Sequence, residues 1–193
     1  MSMNASKNHN NLDEIYNNIW ECLELGVKER RSDYHTFSLA TTDGELSYNR
    51  TVVLRGYDAK DHTIIFHTNN LSKKIEQIRK NINVSALFYS RDDKIQIRFM
   101  GDAAISNQDD YCDERWNKMY AQSKECYYQN IKPGNYIDNP DVVKTESIDL
   151  LSENFSIITI KVNSIDWLYL SANGHTRAEY LRSNNFSGKW IAP

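Results

Sequence analysis

The chain has 193 residues, 40% of them hydrophobic and 25% charged, with a formal net charge of −3. That length and balance describe a globular chain able to bury a core, and they exclude a disordered polyelectrolyte and a generally basic nucleic-acid binder. No apolar run approaches the roughly 20 residues of a membrane helix, and Met1–Asn11 lacks the apolar stretch of a secretory signal, so a cytoplasmic protein is expected.

The asparagine-rich start, residues 1–11, reads as a disordered tail, and 12–193 as a single domain. Residues 12–31 predict a helix, because Leu12, Ile15, Tyr16, Ile19, Leu23 and Val27 recur at three-to-four spacing. Residues 37–41 predict a strand, Thr42-Asp43-Gly44-Glu45 a hairpin turn, and 46–54 the next strand. A turn over 56–61 leads to a strand over 63–68. Ser72 is placed to cap a helix running to about Asn81. Residues 84–89 and 94–105 pair as a hairpin across Arg91-Asp92-Asp93, with Ile95, Ile97 and Phe99 facing one way and Gln96, Arg98 and Met100 the other. A helix over 109–128 and a loop over 131–152, marked by Pro133-Gly134 and Asn139-Pro140, follow. Strands over 155–162 and 167–170 precede a polar turn and a tail ending Trp190-Ile191-Ala192-Pro193. Six or seven strands in hairpin order with helices at the edges predict a mainly β (α+β) fold, a closed antiparallel barrel. Neither an internal repeat nor a second hydrophobic core is visible. A barrel of this size has a filled interior, so a ring-sized ligand belongs on its outside, against a partner subunit.

The segment from Arg50 to Lys74 carries most of the chemistry. Two apolar strands end in anion-binding groups, and a hydroxyl and two ammonium groups follow at a helix start. A phosphate monoester on a flat ring suits that layout: arginine supplies a fork, lysine a point charge, and hydroxyls and free helix N–H groups supply donors. Arg50, Thr68, Ser72, Lys73 and Lys74 offer all of these. A solvated basic helix start is the plain alternative, but cations there oppose the helix dipole unless an anion is present. Gln96 either donates and accepts at the pyrimidine edge of a flavin or is an outward polar residue on a half-exposed strand. Arg55 either faces the same ring edge or is an ordinary strand-end cation. His175 and Arg177 either meet a substrate anion or are polar loop residues. Cys22, Cys112 and Cys126 are widely spaced without a CxxC, and His35, His62 and His67 lack metal-ligand spacing, so reduced thiols and no metal are expected.

These segments resemble the pyridoxamine 5′-phosphate oxidase family. Arg50-Thr51-Val52-Val53-Leu54-Arg55 resembles its R-x-V-L-L-K strand, His67-Thr68-Asn69 with Ser72-Lys73-Lys74 its Y-T-N…S-R-K segment, and residues 94–101 its R-Q-V-x-x-x-G strand. Gln122-Ser123 corresponds to a Q-S pair, and the Trp190–Pro193 ending resembles W-x-x-x-R-L-A-P, shortened. The resemblance runs from about Phe37 to the C-terminus. It implies an FMN-binding split β-barrel that forms a homodimer with FMN at the subunit interface. Arg50, Ser72, Lys73 and Lys74 would hold the phosphate region, and Thr51 would also belong to the cofactor site. Val52, Val53, Arg55, His67, Thr68 and Gln96 would line the rest of the cofactor, and Gln122, Ser123 and Tyr169 would flank the flavin.

Several positions depart from the pattern. Arg55 stands for a lysine and Lys73 for an arginine. The substrate motif R-L-H-D-R is not reproduced by His175-Thr176-Arg177-Ala178-Glu179, whose Glu179 lies where a cofactor-binding arginine is expected. Tyr111 and Arg115 keep the Y-x-x-x-R spacing, but the following segment is short. The resemblance therefore implies FMN and the oxidase-related branch of the family more than pyridoxamine phosphate oxidation itself. The leading expectation is an FMN-dependent oxidoreductase acting on a small molecule, of which a CH–NH2 donor such as a B6 vitamer is one candidate, with Tyr111, Arg115, His175 and Arg177 as substrate-side candidates. A non-catalytic flavin or haem binder on the same fold is the alternative, and an oligonucleotide-binding barrel, suggested by twelve tyrosines with Arg50, Arg55 and Arg98, is a third.

Overall fold

The computed structural model describes residues 9–145 and 152–193. Residues 1–8 of the expected tail and 146–151 of the expected loop lie outside the described residues. Asn11 caps the first helix, α1 (Leu12–Lys28), its side chain accepting from the backbone N–H groups of Asp13 and Glu14. Strands β1 (Thr36–Thr42), β2 (Ser47–Asp58) and β3 (Thr63–Asn69) lead to α2 (Lys73–Lys80), then β4 (Asn83–Ser90) and β5 (Ile95–Asn107). Helices α3 (Asp110–Asn117) and α4 (Ala121–Lys124) precede β6 (Phe155–Tyr169), β7 (Thr176–Leu181) and β8 (Gly188–Ile191).

The sheet order is β3-β2-β1-β4-β5-β6-β7-β8, and β3 also pairs with β6. That extra pairing closes six antiparallel strands into a barrel, with β7 and β8 extending from β6. Period-two alternation drives the closure. Phe37 and Leu39 of β1, Leu54 of β2, Ile64 and Phe66 of β3, Phe88 of β4 and Phe99 of β5 are all buried in one core. The interior is packed, as the sequence predicted. The two ends are closed differently. α1 sits where β2 ends and β3 begins, with Trp20 against Tyr57, His62 and Phe99. α2 sits at the opposite end, burying Ile75 and Ile78.

Four expectations are corrected. The two strands expected over 155–162 and 167–170 are one strand, β6. Its register against β5 shifts between Met100 and Gly101, so a bulge, not a break, accounts for the polar Asn163-Ser164 in its middle. Gly101 permits this close approach, since a Cβ there would lie 2.2 Å from the Lys161 carbonyl oxygen. The turn and tail after β6 form a hairpin, because Thr176–Leu181 finds an open edge of β6 to pair with and Gly188–Ile191 pairs in turn with Thr176–Leu181. The helix expected over 109–128 breaks after Asn117 and resumes as α4. Finally, a second hydrophobic cluster exists outside the barrel. Cys112, Trp116, Tyr127 and Tyr128 cover Phe155 and Ile157 from outside, with Ile65, Tyr111 and Met119 at its margin. The sequence hid it because its members come from separate short stretches, Cys112 and Trp116 on α3, Tyr127 and Tyr128 after α4, and Phe155 and Ile157 at the start of β6, none of which shows an apolar face long enough to mark a second core.

Candidate functional site

The barrel end under α2 holds two cations side by side. Arg50 is two residues before buried Val52 and so faces inward at the mouth. Its Nη1 donates to Thr41 Oγ1 at 2.5 Å and to the Leu39 carbonyl at 3.3 Å, and its Nη2 donates to Gln77 Oε1 at 2.8 Å. Lys74, in the first turn of α2, donates to Thr68 Oγ1 at 2.9 Å and to Ser72 Oγ at 3.2 Å. The two hydroxyls are themselves 3.2 Å apart. Among the described residues neither cation is paired with a carboxylate. Burial depresses the Arg50 guanidinium, and burial followed by the charge of Arg50 depresses the Lys74 ammonium. Two neighbouring cations, partly desolvated and held by neutral oxygens, gain most from a bound anion. The donor set of guanidinium, ammonium and two hydroxyls fits a phosphate monoester.

Ser72 stands at the N-cap position of α2, yet its side chain makes no capping bond. Its hydroxyl turns instead to Thr68 and Lys74, which corrects the capping role expected of it. Lys73 is exposed, and its stem runs alongside Gly134, where a Cβ would be 3.5 Å from Lys73 Cε. Lys132 of that same stretch pairs with Glu76 at 2.8 Å. Lys73 is therefore not gathered with Arg50 and Lys74.

The remaining β2 positions divide by pleat. Val52 packs into the core, whereas Thr51, Val53 and Arg55 face outward. Arg55 lies within electrostatic range of His67, Cys126 and Tyr127. The His67 ring stands edge-on to Phe155, centroids 4.9 Å apart, and its Nε2 is sealed from solvent without a hydrogen-bond partner. Burial, then the charges of Arg55 and Arg115, push the His67 pKa down to about 3, so the imidazole is neutral. The Arg115 guanidinium lies over the Tyr111 ring, 5.6 Å from its centroid. Arg55, His67, Tyr111 and Arg115 thus form one outward-facing group.

A third group lies on the outer face of β5, β6 and β7. Arg177 grips Asp166 with two bonds, Nε–Oδ1 at 3.0 Å and Nη2–Oδ2 at 2.6 Å, and Arg98 binds the same Asp166 carboxylate. Burial pushes the Asp166 carboxyl up, but hydrogen bonds and charge from Arg177 and Arg98 outweigh it and hold the pKa below the ordinary value. Gln96 is half-buried, two residues along β5 from Arg98, opposite Leu168 and Tyr89. Tyr169 is half-buried with its ring 4.1 Å from that of His9. His175 accepts the Ser171 backbone N–H at Nδ1, which folds the turn before β7. Gln122 is exposed and Ser123 half-buried on α4, without a hydrogen bond to the Arg50–Lys74 group.

The structure therefore unites Arg50, Thr68, Ser72 and Lys74. It leaves Lys73, Gln96, Gln122, Ser123, Tyr169, His175 and Arg177 elsewhere on the same chain. Three residues escaped the sequence reading: Thr41, Gln77 and Asp166. Gln77 stands three residues beyond Lys74 on the same helix face, but a neutral side chain there carries no signal of its own in the sequence.

Residues 17–107 match the family model described as pyridoxamine 5′-phosphate oxidase, FMN-binding domain. The chain is 26% identical over 148 residues to a pyridoxine/pyridoxamine 5′-phosphate oxidase of Psychrobacter cryohalolentis, covering 74% of this chain and 61% of that protein. It is 32% identical over 82 residues to pyridoxine/pyridoxamine 5′-phosphate oxidase 2 of Ralstonia nicotianae, covering 42% of this chain and 38% of that one. The chain thus spans less than two thirds of the length of these relatives, 61% of the first and 38% of the second. Among solved structures, a pyridoxamine 5′-phosphate oxidase-related, FMN binding protein of Nostoc punctiforme superposes with a TM-score of 0.74 at 20% identity, over 92% of this chain and 96% of that one. PhzG of Burkholderia lata, crystallised with tetrahydrophenazine-1-carboxylic acid, gives 0.73 at 17% identity, over 92% and 91%. Both likenesses concern the fold. No described helix is long and apolar enough to cross a membrane.

Proposed function

We propose that the chain is a member of the pyridoxamine 5′-phosphate oxidase-like family of FMN-binding split β-barrels, and an FMN flavoprotein catalysing a two-electron oxidation or reduction of a small molecule. The observation that carries this reading is the pair Arg50 and Lys74: partly buried, adjacent, and without an acid among the described residues. Arg50 and Lys74 would neutralise the phosphate. The hydroxyls of Thr68 and Ser72 would turn from each other to the phosphate oxygens. From that mouth the outward face of β2 offers Thr51, Val53 and Arg55 to the rest of the cofactor, and Val52 contributes backbone only. Bound FMN would supply reversible hydride or electron transfer, which no side chain here provides.

Residues on other faces reach such a cofactor through a second copy of the chain. In a homodimer with FMN at the interface, Gln96, Gln122, Ser123 and Tyr169 would come to the flavin from whichever subunit presents them. Tyr111 and Arg115, grouped with Arg55 and His67, are substrate-side candidates in which Arg115 supplies the cationic charge and Tyr111 the ring beneath it. His175 and Arg177 are candidates with their polar groups already engaged. A substrate carrying an anionic group, of which a B6 vitamer phosphate is one, suits the Arg55–Arg115 group. The test is direct. The purified chain should be yellow or take up added FMN, and should run as a dimer. A colourless protein that binds no FMN ends the reading.

A second reading has its own support. Arg177 is neutralised by Asp166 and His175 is tied to its turn, so part of the expected substrate side is committed to structure. A flavin or haem carrier on this fold needs the phosphate mouth but no substrate side. An FMN-loaded protein that no amine or nicotinamide donor reduces would favour it.

A further inference from the structure

We infer that Gln77 is a positioning residue that fixes the direction of the Arg50 guanidinium without neutralising it, and that Thr41 is its relay. The inference rests on the FMN reading above and deepens it. Gln77 and Thr41 are both buried, 6% and 3% exposed. Gln77 Oε1 accepts twice, from Arg50 Nη2 at 2.8 Å and from Thr41 Oγ1 at 2.6 Å. Thr41 Oγ1 in turn accepts from Arg50 Nη1 at 2.5 Å, and the Leu39 carbonyl accepts from the same nitrogen. Three neutral oxygens thus hold one cation.

Chemistry makes this choice informative. A carboxylate is the ordinary partner of a desolvated arginine and the stronger one. It would fix the guanidinium equally well but cancel its charge. An amide oxygen fixes the geometry and leaves the positive charge for an anion. Gln77 is also three residues beyond Lys74, one turn along α2, so the same helix face carries Lys74 and the group that aims Arg50. The helix thereby sets one cation against the other across the space an anion would fill. Burial, and after it the charge of Arg50, depresses the Lys74 ammonium, and both oppose that arrangement until the anion arrives.

FMN and riboflavin differ only in the phosphate, so their affinities separate aiming of Arg50 from general support of the barrel. In Gln77→Glu the new carboxylate pairs with Arg50. FMN affinity should fall about 10- to 100-fold while riboflavin affinity stays within about twofold and the melting temperature holds. Thr41→Val removes the relay without adding charge, and should lower FMN affinity about 3- to 10-fold with riboflavin unchanged. Thr41→Val carries the test if the glutamate variant does not fold. Equal losses of FMN and riboflavin, or an unchanged FMN-to-riboflavin ratio in folded variants, overturn the positioning role. If the unmodified chain binds neither flavin, the cofactor reading fails separately. Inorganic phosphate then decides the positioning: it stands if phosphate raises the melting temperature of the unmodified chain and not of Gln77→Glu, and falls if both respond alike.

Discussion

The mouth under α2 and the outer face of β5–β7 each gather two cations, and they treat them in opposite ways. At the mouth, Arg50 and Lys74 rest on hydroxyls, a carbonyl and an amide. On the outer face, Arg98 and Arg177 close on the single carboxylate of Asp166. All four cations are half-buried, so burial alone does not separate the two pairs. The counter-charge does. A cation with its acid in place is finished as structure, whereas a cation held by neutral oxygens keeps an unbalanced field that a ligand can satisfy.

The sharpest way to break this comparison is to empty the mouth. Arg50→Ala with Lys74→Ala should lower FMN affinity by at least about 100-fold, near 3 kcal/mol, while leaving riboflavin affinity close to that of the unmodified chain. The flavin-free double variant should melt no lower than the original, because two mutually repelling, partly desolvated cations are gone. Fluorescence titration and thermal melts check both halves. A double variant that keeps FMN at full affinity places the phosphate elsewhere.

The reverse experiment converts the finished face into an unfinished one. Asp166→Asn leaves Arg98 and Arg177 facing each other without their acid, whose side chain is only 13% exposed. Losing such a carboxylate costs several kcal/mol in a dry site. Here the guanidiniums are 40% and 28% exposed, so solvent screening reduces the loss to about 2 kcal/mol. Urea unfolding measures it. The variant should also gain a stabilisation by phosphate or sulfate that this face lacks while Asp166 is present.

A third cationic neighbourhood sharpens the rule through pH. Burial, and after it the charges of Arg55 and Arg115, keeps His67 neutral in the fold with a pKa of about 3, against 6.5 ordinarily. The unfolded chain takes up a proton as pH falls below 6.5 and the folded chain does not. Stability from this site is therefore complete above pH 6.5 and is lost progressively as pH falls toward 3. At pH 5 the loss is about 1 kcal/mol after allowing for screening of the two arginines. His67→Phe should flatten the stability profile in that window without abolishing it, since burial also depresses His62. An unaltered acid slope would mean that His67 is solvated in the native state.

How much of this was legible in the sequence follows from the range of each signal. The barrel strands read correctly where period two ran unbroken, as in β1, β3 and β5. β6 read as two strands because a bulge imitates a loop in composition. The satellite cluster around Trp116 and Phe155 left only two short periodic pairs, Cys112 with Trp116 and Phe155 with Ile157, too far apart in the chain to be read together. At the site, Arg50, Thr68, Ser72 and Lys74 announced themselves as a spaced set of anion donors. Gln77 and Thr41 did not, because a neutral residue that aims a charge looks like any other buried polar residue. Asp166 and Arg177 are 11 residues apart and meet only through the β6–β7 hairpin. Counting cations finds candidates, then, but only the fold shows which of them already have an acid.

Lys73 tests that distinction at its smallest scale. By position in the sequence it belongs with Lys74, and the resemblance makes it a phosphate ligand. In the fold it is exposed, bonded to neither hydroxyl of the mouth, and laid along Gly134. A fully hydrated ammonium at that distance contributes only a screened field to a phosphate near Lys74. Lys73→Ala should therefore change FMN affinity by no more than about twofold at physiological salt, where Lys74→Ala alone should cost about tenfold or more. Lowering the salt should enlarge the Lys73 effect and leave the Lys74 effect nearly unchanged, because screening governs the first and direct contact the second. Equal losses for the two variants would mean that Lys73 swings off the Gly134 stretch to join the mouth when the cofactor binds.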